Sequence, residues 1–515
     1  MKFTRREWMK TTALVGGSFA LPTSARSRSP AFKRNRKRRI IFNDDAYQQR
    51  RHLDSIYHVK DKQSFLAART IPTFDTQVDT YVWCVGNGCE PPWGEWGKKH
   101  RAPLCSAIES PERATNWIVE ACHNQGLEVW GSLRMNDVHD ANVELAETND
   151  PLKAQHPEYL LGPPSDRDLP PERLERLFWS GFNFARSEVR QHRLDFIQRN
   201  AMKHDFDGYE LDFSRFIWYF RQGREREQAH LMTDFVRKVR AALNRIAKQR
   251  GRPYYLTAHV MDTIAASQRI GLDVETWVAE GLVDGLVVGM GGMPFTLSIA
   301  DWKKLTQRYG VPIYPTFHPR RNFRHDGELD RLTTWQEWLR GLAAWSWQSG
   351  VDGLCLFNLF TVADRWRYPK ALAYAPLTEV GDQETLRNKN KIYAIEPVVL
   401  SGMFSQGSAT ASLPIALDTH ERRLALPMGP DADNRGARFK IYVHSQGGDD
   451  KSRVFLRLNH TFLKSVHQEK DLCTVEVDSN LVRAGHNDLR IWSNVELATT
   501  STPIIVREVL IYVRY

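Results

Sequence analysis

No apolar run in this 515-residue sequence approaches the length needed to span a bilayer, so a transmembrane helix is excluded. Cysteine is scarce at six, and none forms a Cys-x-x-Cys pair, which argues against a structural zinc site. No His-Glu-x-x-His occurs, and the first β-rich run carries no His-x-His, so the usual signatures of a metal-dependent hydrolase are missing. His259 with Asp262, and His139 with Asp140, are the residual candidates for that chemistry. No metal or other cofactor is expected. Basic recognition motifs interleaved with aromatics are also absent, so no nucleic-acid partner is expected despite a net charge of +10.

That charge sits at one end. The stretch RSRSPAFKRNRKRR (26–39) holds eight basic residues and no acid, and with the first 25 residues it accounts for the whole excess. The body is near neutral, and the run reads as a solvated leader. Before it come Arg5 and Arg6, a modestly apolar stretch and small residues near Ala25, in the order of a twin-arginine signal. The expected location is therefore outside the cytoplasm, periplasmic or extracellular. Cys84 and Cys89, in WCVGNGCEPPW, could pair after export or remain packed thiols.

From residue 38 to 390 amphipathic segments alternate with short apolar runs. The runs are RRIIFNDD, VDTYVWCV, LEVWGSLRMND, FDGYELDF, PYYLTAHVMD, VDGLVVGM, VPIYPTFH and VDGLCLFN. Eight near-continuous apolar strands separated by helices predict a parallel sheet closed as a (β/α)8 barrel. Asp-Gly precedes several of them, and Asp207 and its counterparts are expected to be structural. From 391 to 515 the pattern changes to period two, as in RFKIYVHSQ and RVFLRLNH. This predicts a C-terminal antiparallel β-sandwich, jelly-roll-like, after a leader (1–37) and the barrel (38–390).

Barrels of this kind place their chemistry at the C-terminal ends of the strands. Those ends offer Asn43 and Asp44, Trp83, Arg134 with Asn136 and Asp137, Glu210 with Asp212 and then Arg215, His259 with Asp262, His318, and Asn358. Glycosidic cleavage needs two carboxyl groups held in different protonation states. Glu210 and Asp212 share a strand face, and Asp262 lies one strand over. Asp212 is expected to be nucleophile or base, with Glu210 or Asp262 as acid; Glu210 tied to an arginine such as Arg134 would instead be structural. The remaining residues are expected to bind substrate. Trp83, Trp93, Trp96, Trp218 and Tyr219 could stack on sugar rings. Arg134, Arg215, His259, His318, Arg320 and Arg321 suggest an anionic polysaccharide, uronate-bearing or sulfated.

FDGYELDFSRF, with GLDVETWVAEGLVDGLVVG downstream, resembles the glycoside-hydrolase-like barrels of the bacterial "family 10 glycosylhydrolase" type. The leader and the appended β-sandwich are similar to planctomycete secreted members. The resemblance covers residues 38–390 and implies a polysaccharide-degrading barrel. Strand seven, VPIYPTFHPRR, has no glutamate, unlike retaining enzymes with acids on strands four and seven. The pattern is closer to sites with the nucleophile on strand four and the acid on five or six. The competing expectation is a non-catalytic glycan-binding envelope protein on the same barrel. Sugar, linkage, stereochemical outcome and oligomeric state are not readable from the sequence.

Overall fold

The structure is a computed structural model, and it describes residues 36–46, 58–85, 108, 110–141, 150–292, 294–319, 331–366, 369–396, 411–433, 436–497 and 502–515. The twin-arginine segment, Cys89, Trp93, Trp96, Arg320 and Arg321 lie outside these. Eight parallel strands close into a barrel in sequential order: β1 (Ile40–Asp44), β2 (Val78–Cys84), β3 (Glu128–Arg134), β4 (Gly208–Asp212), β5 (Tyr255–Val260), β6 (Gly285–Val288), β7 (Ile313–Phe317) and β8 (Leu354–Phe357). The principal crossover helices are α1 (Lys62–Arg69), α2 (Pro111–Asn124), α3 (Ser187–Lys203), α4 (Glu225–Arg250), α5 (Val274–Ala279), α6 (Ile299–Thr306) and α7 (Arg331–Gln348). No helix among the described residues is long and apolar enough to cross a membrane.

The Val-Asp and Phe-Asp lead-ins have a shared job. An aspartate at the start of each even-numbered strand accepts a backbone N–H at or beside the start of the odd-numbered strand before it. Asp79 accepts from Arg39 N at 2.8 Å, Asp207 from Val129 N at 2.9 Å, Asp284 from Leu256 N at 2.9 Å and Asp352 from Ile313 N at 3.0 Å. Each also meets a cation: Arg39, Arg252, Arg240 and Lys303 respectively. A backbone N–H enclosed at the barrel floor needs an acceptor, and here the aspartate supplies one.

The end of the basic run is not a solvated leader. Arg38 is buried at the barrel floor, where Nε and Nη2 donate to Glu128 at 2.6 and 3.0 Å and the guanidinium lies 4.0 Å from the Tyr255 ring. Arg39 pairs with Asp79, and Arg36 donates to the Gly126 carbonyl. Above this floor Ile41, Val82, Trp130, Tyr255, Val287, Tyr314 and Cys355 fill the interior as a cluster of their own.

The second region is antiparallel. One sheet combines β10 (Ile415–Ala416), β12 (Arg438–Gln446), β15 (His467–Glu469), β16 (Leu472–Val477) and β18 (Ile505–Arg514), with β9 (Lys391–Ile395) also on β18. The other runs β11 (Arg422–Met428), β17 (Gly485–Ser493), β13 (Val454–Leu458) and β14 (Thr461–Phe462). Alternate residues of β12 and β17 are buried, as a sheet with one core face requires. β9 is buried along its length because it lies between β18 and the barrel. Gly341 of α7 makes that fit possible, since a Cβ there would sit 1.9 Å from the Ile392 carbonyl oxygen. Phe295 and Tyr393 meet at 6.1 Å, and Arg514 pairs with Glu337 at 3.0 Å.

Asp284→Ala removes the acceptor for Leu256 N and the partner of Arg240. We expect a loss of about 1–3 kcal/mol, measurable by urea unfolding, because the N–H stays buried without a partner.

Candidate active site

The register of β3, β4 and β5 stacks the interior in layers. Gly208 lies opposite Trp130 and Tyr255, Glu210 opposite Ser132 and Thr257, and Asp212 opposite Arg134 and His259. The lowest layer needs glycine, because a Cβ on Gly208 would come within 2.7 Å of the Trp130 ring. Period-two alternation then turns Glu210 and Asp212 the same way, about 7 Å apart along the strand.

Glu210 is fully enclosed. Its Oε1 accepts from Asn43 Nδ2 at 3.0 Å and Ser132 Oγ at 2.7 Å, while buried Oε2 has no partner. Burial, reinforced by the charge of Asp212, pushes its carboxyl up to about 8, against the two hydrogen bonds. Since Oε1 receives two donors, the proton belongs on Oε2. The expected alternative of an arginine-tied Glu210 is not what is seen.

Asp212 is one layer higher. Its Oδ1 accepts from Ser214 N at 3.0 Å, Ser214 Oγ at 3.1 Å and Arg215 N at 3.2 Å, and Oδ2 accepts none. His259 Nδ1 lies 3.5 Å from the same Oδ1 and 3.1 Å from Ser214 Oγ. His259 Nε2 is 2.8 Å from the Gly289 carbonyl, which can only accept, so Nε2 carries a proton. The Ser214 hydroxyl thus links the carboxylate to the imidazole.

Around Asp212 the mouth is nearly balanced in charge. Arg134 lies 3.4 Å from Asp137 and 4.0 Å from Asp45, and Asp45 also accepts from Asn358 Nδ2 at 3.3 Å. Burial, then the neighbouring Arg134, lowers the Arg215 guanidinium to about 10, so it remains cationic at neutral pH. His318 lies against Phe357 at 5.3 Å, and His259 touches the same ring at 5.7 Å. Asn43, Arg134, Asp137, Glu210, Asp212, Arg215, His259 and Asn358 are therefore brought together, with His318 at the edge. Asn358 holds φ 54° with its Oδ1 buried and without a partner.

Six expected site residues serve elsewhere. Asp44 alternates to the helix side of β1, where Arg69 and Tyr81 donate to it at 2.8 and 2.6 Å. Trp83 likewise faces outward, donating to Thr115 Oγ1 at 3.0 Å. Asn136 clamps Phe182 N and the Phe182 and Trp218 carbonyls, so both of its amide N–H groups are committed to the fold. Asp262 accepts from Met290 N at 2.7 Å and interacts electrostatically with Glu396 rather than with Glu210. Trp218 stacks on Phe178 at 4.3 Å, and Tyr219 donates to the Phe213 and Phe216 carbonyls, so neither is a sugar platform. Cys84 is buried, and its pairing with Cys89 falls outside the described residues.

Ser132, Thr257 and Ser214 were not expected here. The first two are the register neighbours of Glu210, a relation visible only once strand pairing is fixed. Glu396, after β9, was also missed. It is fully buried, Oε2 accepts from Phe295 N at 2.9 Å, and burial raises it far above the usual carboxylate range.

No protein-family model matches this sequence, and no curated protein does. Solved structures with a similar trace are found. An alpha-amylase from Geobacillus thermoleovorans, solved with acarbose, aligns at TM-score 0.40 and 10% identity over 88% of this chain and 98% of its own. Alpha-L-fucosidase isoenzyme 2 from Paenibacillus thiaminolyticus aligns at 0.41 and 13%, over 69% and 51%. A GH36 alpha-galactosidase from Geobacillus stearothermophilus aligns at 0.38 and 9%, over 92% and 56%.

A carboxyl raised in the folded state binds its proton more tightly there than in the unfolded chain. Its contribution to stability is complete below the unfolded value near 4.5 and is lost as pH rises through about 8. Thermal unfolding from pH 5 to 8.5 should show this decline, and Glu210→Gln should flatten it.

Proposed function

We propose that the barrel mouth cleaves O-glycosidic bonds, with Asp212 as the attacking or water-activating carboxylate and Glu210 as the protonated member of the pair. One observation carries this reading. Two carboxyl groups share one strand face in unlike surroundings: Glu210 is enclosed and its carboxyl is pushed up to about 8, while Asp212 Oδ1 accepts three hydrogen bonds one layer nearer the mouth. That division is what glycoside cleavage asks of a carboxyl pair. Asp212 would meet the positive charge growing at the anomeric carbon. Glu210 Oε2 would hold the proton for the leaving oxygen, a transfer that requires its enclosure to open on substrate binding. Arg134, Asp137, Arg215 and Asn358 surround the position above Asp212 with donors and acceptors for sugar hydroxyls. The motive for an anionic substrate is the pair Arg134 and Arg215, yet Asp45, Asp137 and Asp212 face the same two charges. A neutral glycan suits this balance, and both classes belong in the test. We also propose, from the Arg5-Arg6 leader, that the protein acts after export.

A second reading has its own support. Glu210 is enclosed by Asn43 and Ser132 with no exposed surface, which suits a glycan-binding barrel that never transfers its proton.

The test is reducing-end release from neutral, uronate and sulfated polysaccharides by the mature protein. Asp212→Asn should lower turnover by roughly 10²–10⁴-fold. The wild-type rate should fall above about pH 8 as Glu210 loses its proton, and Glu210→Gln should lower turnover at every pH. Binding without release in every protein would establish the second reading instead.

A further inference from the structure

The four-stranded sheet of the β-sandwich has a solvent face that its fold does not explain. In direct cross-strand register, Arg423 of β11 lies opposite Arg490 of β17, Arg490 opposite Arg457 of β13, and Arg457 opposite Phe462 of β14. Like charges directly opposite one another weaken a sheet, and here three stand in one row. At the usual strand spacing the row spans about 10 Å.

Two acids lace the row together. Glu421 accepts from Arg457 at 2.9 Å and from Arg490 at 3.0 Å, and Asp488 meets Arg423 at 3.1 Å and Arg490 at 3.5 Å. One positive charge is left over. Arg457 reaches Glu421 through Nη2, at 2.9 Å.

The adjoining row is aromatic. Phe455 and Trp492 are cross-strand neighbours with centroids 5.6 Å apart and planes at 26°. Phe462, 43% exposed, lies 6.0 Å from Trp492, and the Arg457 guanidinium sits 5.7 Å from the Trp492 ring. Alternation buries the other face of these strands as Leu456, Leu458, Leu489 and Ile491, so the core does not need the three rings.

We propose that this face binds an anionic polysaccharide, with sugar rings on Phe455, Trp492 and Phe462 and carboxylate or sulfate groups on Arg457 and its row. The positive excess complements such a polymer, and guanidinium forks suit its oxyanions. The interleaved acids select among polyanions. Sugar hydroxyls can donate to Glu421 and Asp488, whereas a nucleic-acid backbone offers phosphates that only accept. This site does not depend on the barrel's chemistry.

The full chain carrying Asp212→Asn, which keeps the matrix intact, is run on native gels containing dextran sulfate, polygalacturonate or unsubstituted dextran. Retardation should be strong in the first two, weaken with salt, and be slight in dextran. Adding Trp492→Ala, Phe462→Ala or Arg457→Gln should each weaken affinity about tenfold, with unchanged thermal unfolding as the control for folding. Equal retardation of all three variants and their parent would overturn the proposal and place any binding in the barrel. Equal retardation by dextran, or tighter binding to single-stranded DNA than to every polysaccharide, would overturn it too. Hydrolysis is measured separately, so failure here leaves the barrel reading standing.

Discussion

A carboxyl group sealed inside a barrel must give up its charge or find a partner for it. The interior of this molecule is arranged around that condition at Glu210. Asn43 and Ser132 donate to one of its oxygens, no cation reaches it, and Asp212 stands directly above. Protonation is the solution that remains, and burial pushes the Glu210 carboxyl up to about 8. At the floor the same problem is solved in the opposite way. Glu128 is enclosed too, but Arg38 meets it with a two-pronged contact. One acid is neutralised by a proton and the other by an arginine, and that difference distinguishes the mouth of the barrel from its floor.

The support is quasi-repetitive. Four aspartates at four even-numbered strands fix the starts of four odd-numbered strands, each with a cation alongside. Strand heights are thereby pinned from below, and register carries that precision upward to the layer of Asp212, Arg134 and His259. A slip of one residue in β4 would turn both carboxyls outward among the helices.

Much of this was legible from the chain. Eight apolar runs gave the strands, the period-two texture gave the antiparallel region, and the spacing of Glu210 and Asp212 put both on one face. What failed was facing at strand ends. Asp44 and Trp83 follow inward residues Asn43 and Val82 and so alternate outward, which position near a C-terminal end does not reveal. Asn136 and Asp262 lie past the last paired residue, where alternation stops and backbone groups recruit the nearest polar side chain. The basic run misled because composition cannot distinguish a solvated arginine from Arg38, whose partner Glu128 lies 90 residues on. Glu396 is 101 residues from Phe295 in sequence, and only the placement of β9 brings the two together.

The position of β9 has a consequence for how the chain is made. Its strand partner is β18, with Lys391 paired to Val513, so β9 leaves the ribosome long before the strand that secures it. Until then the patch of α7 beside Gly341 has no cover, and Glu396 has nothing to hold it against the loop after β6. The last steps of barrel assembly are therefore delayed until the most distant part of the chain arrives, and loop closure over that separation is slow. A ribosome paused within the β-sandwich would present a barrel that is closed at its floor and unfinished along one flank.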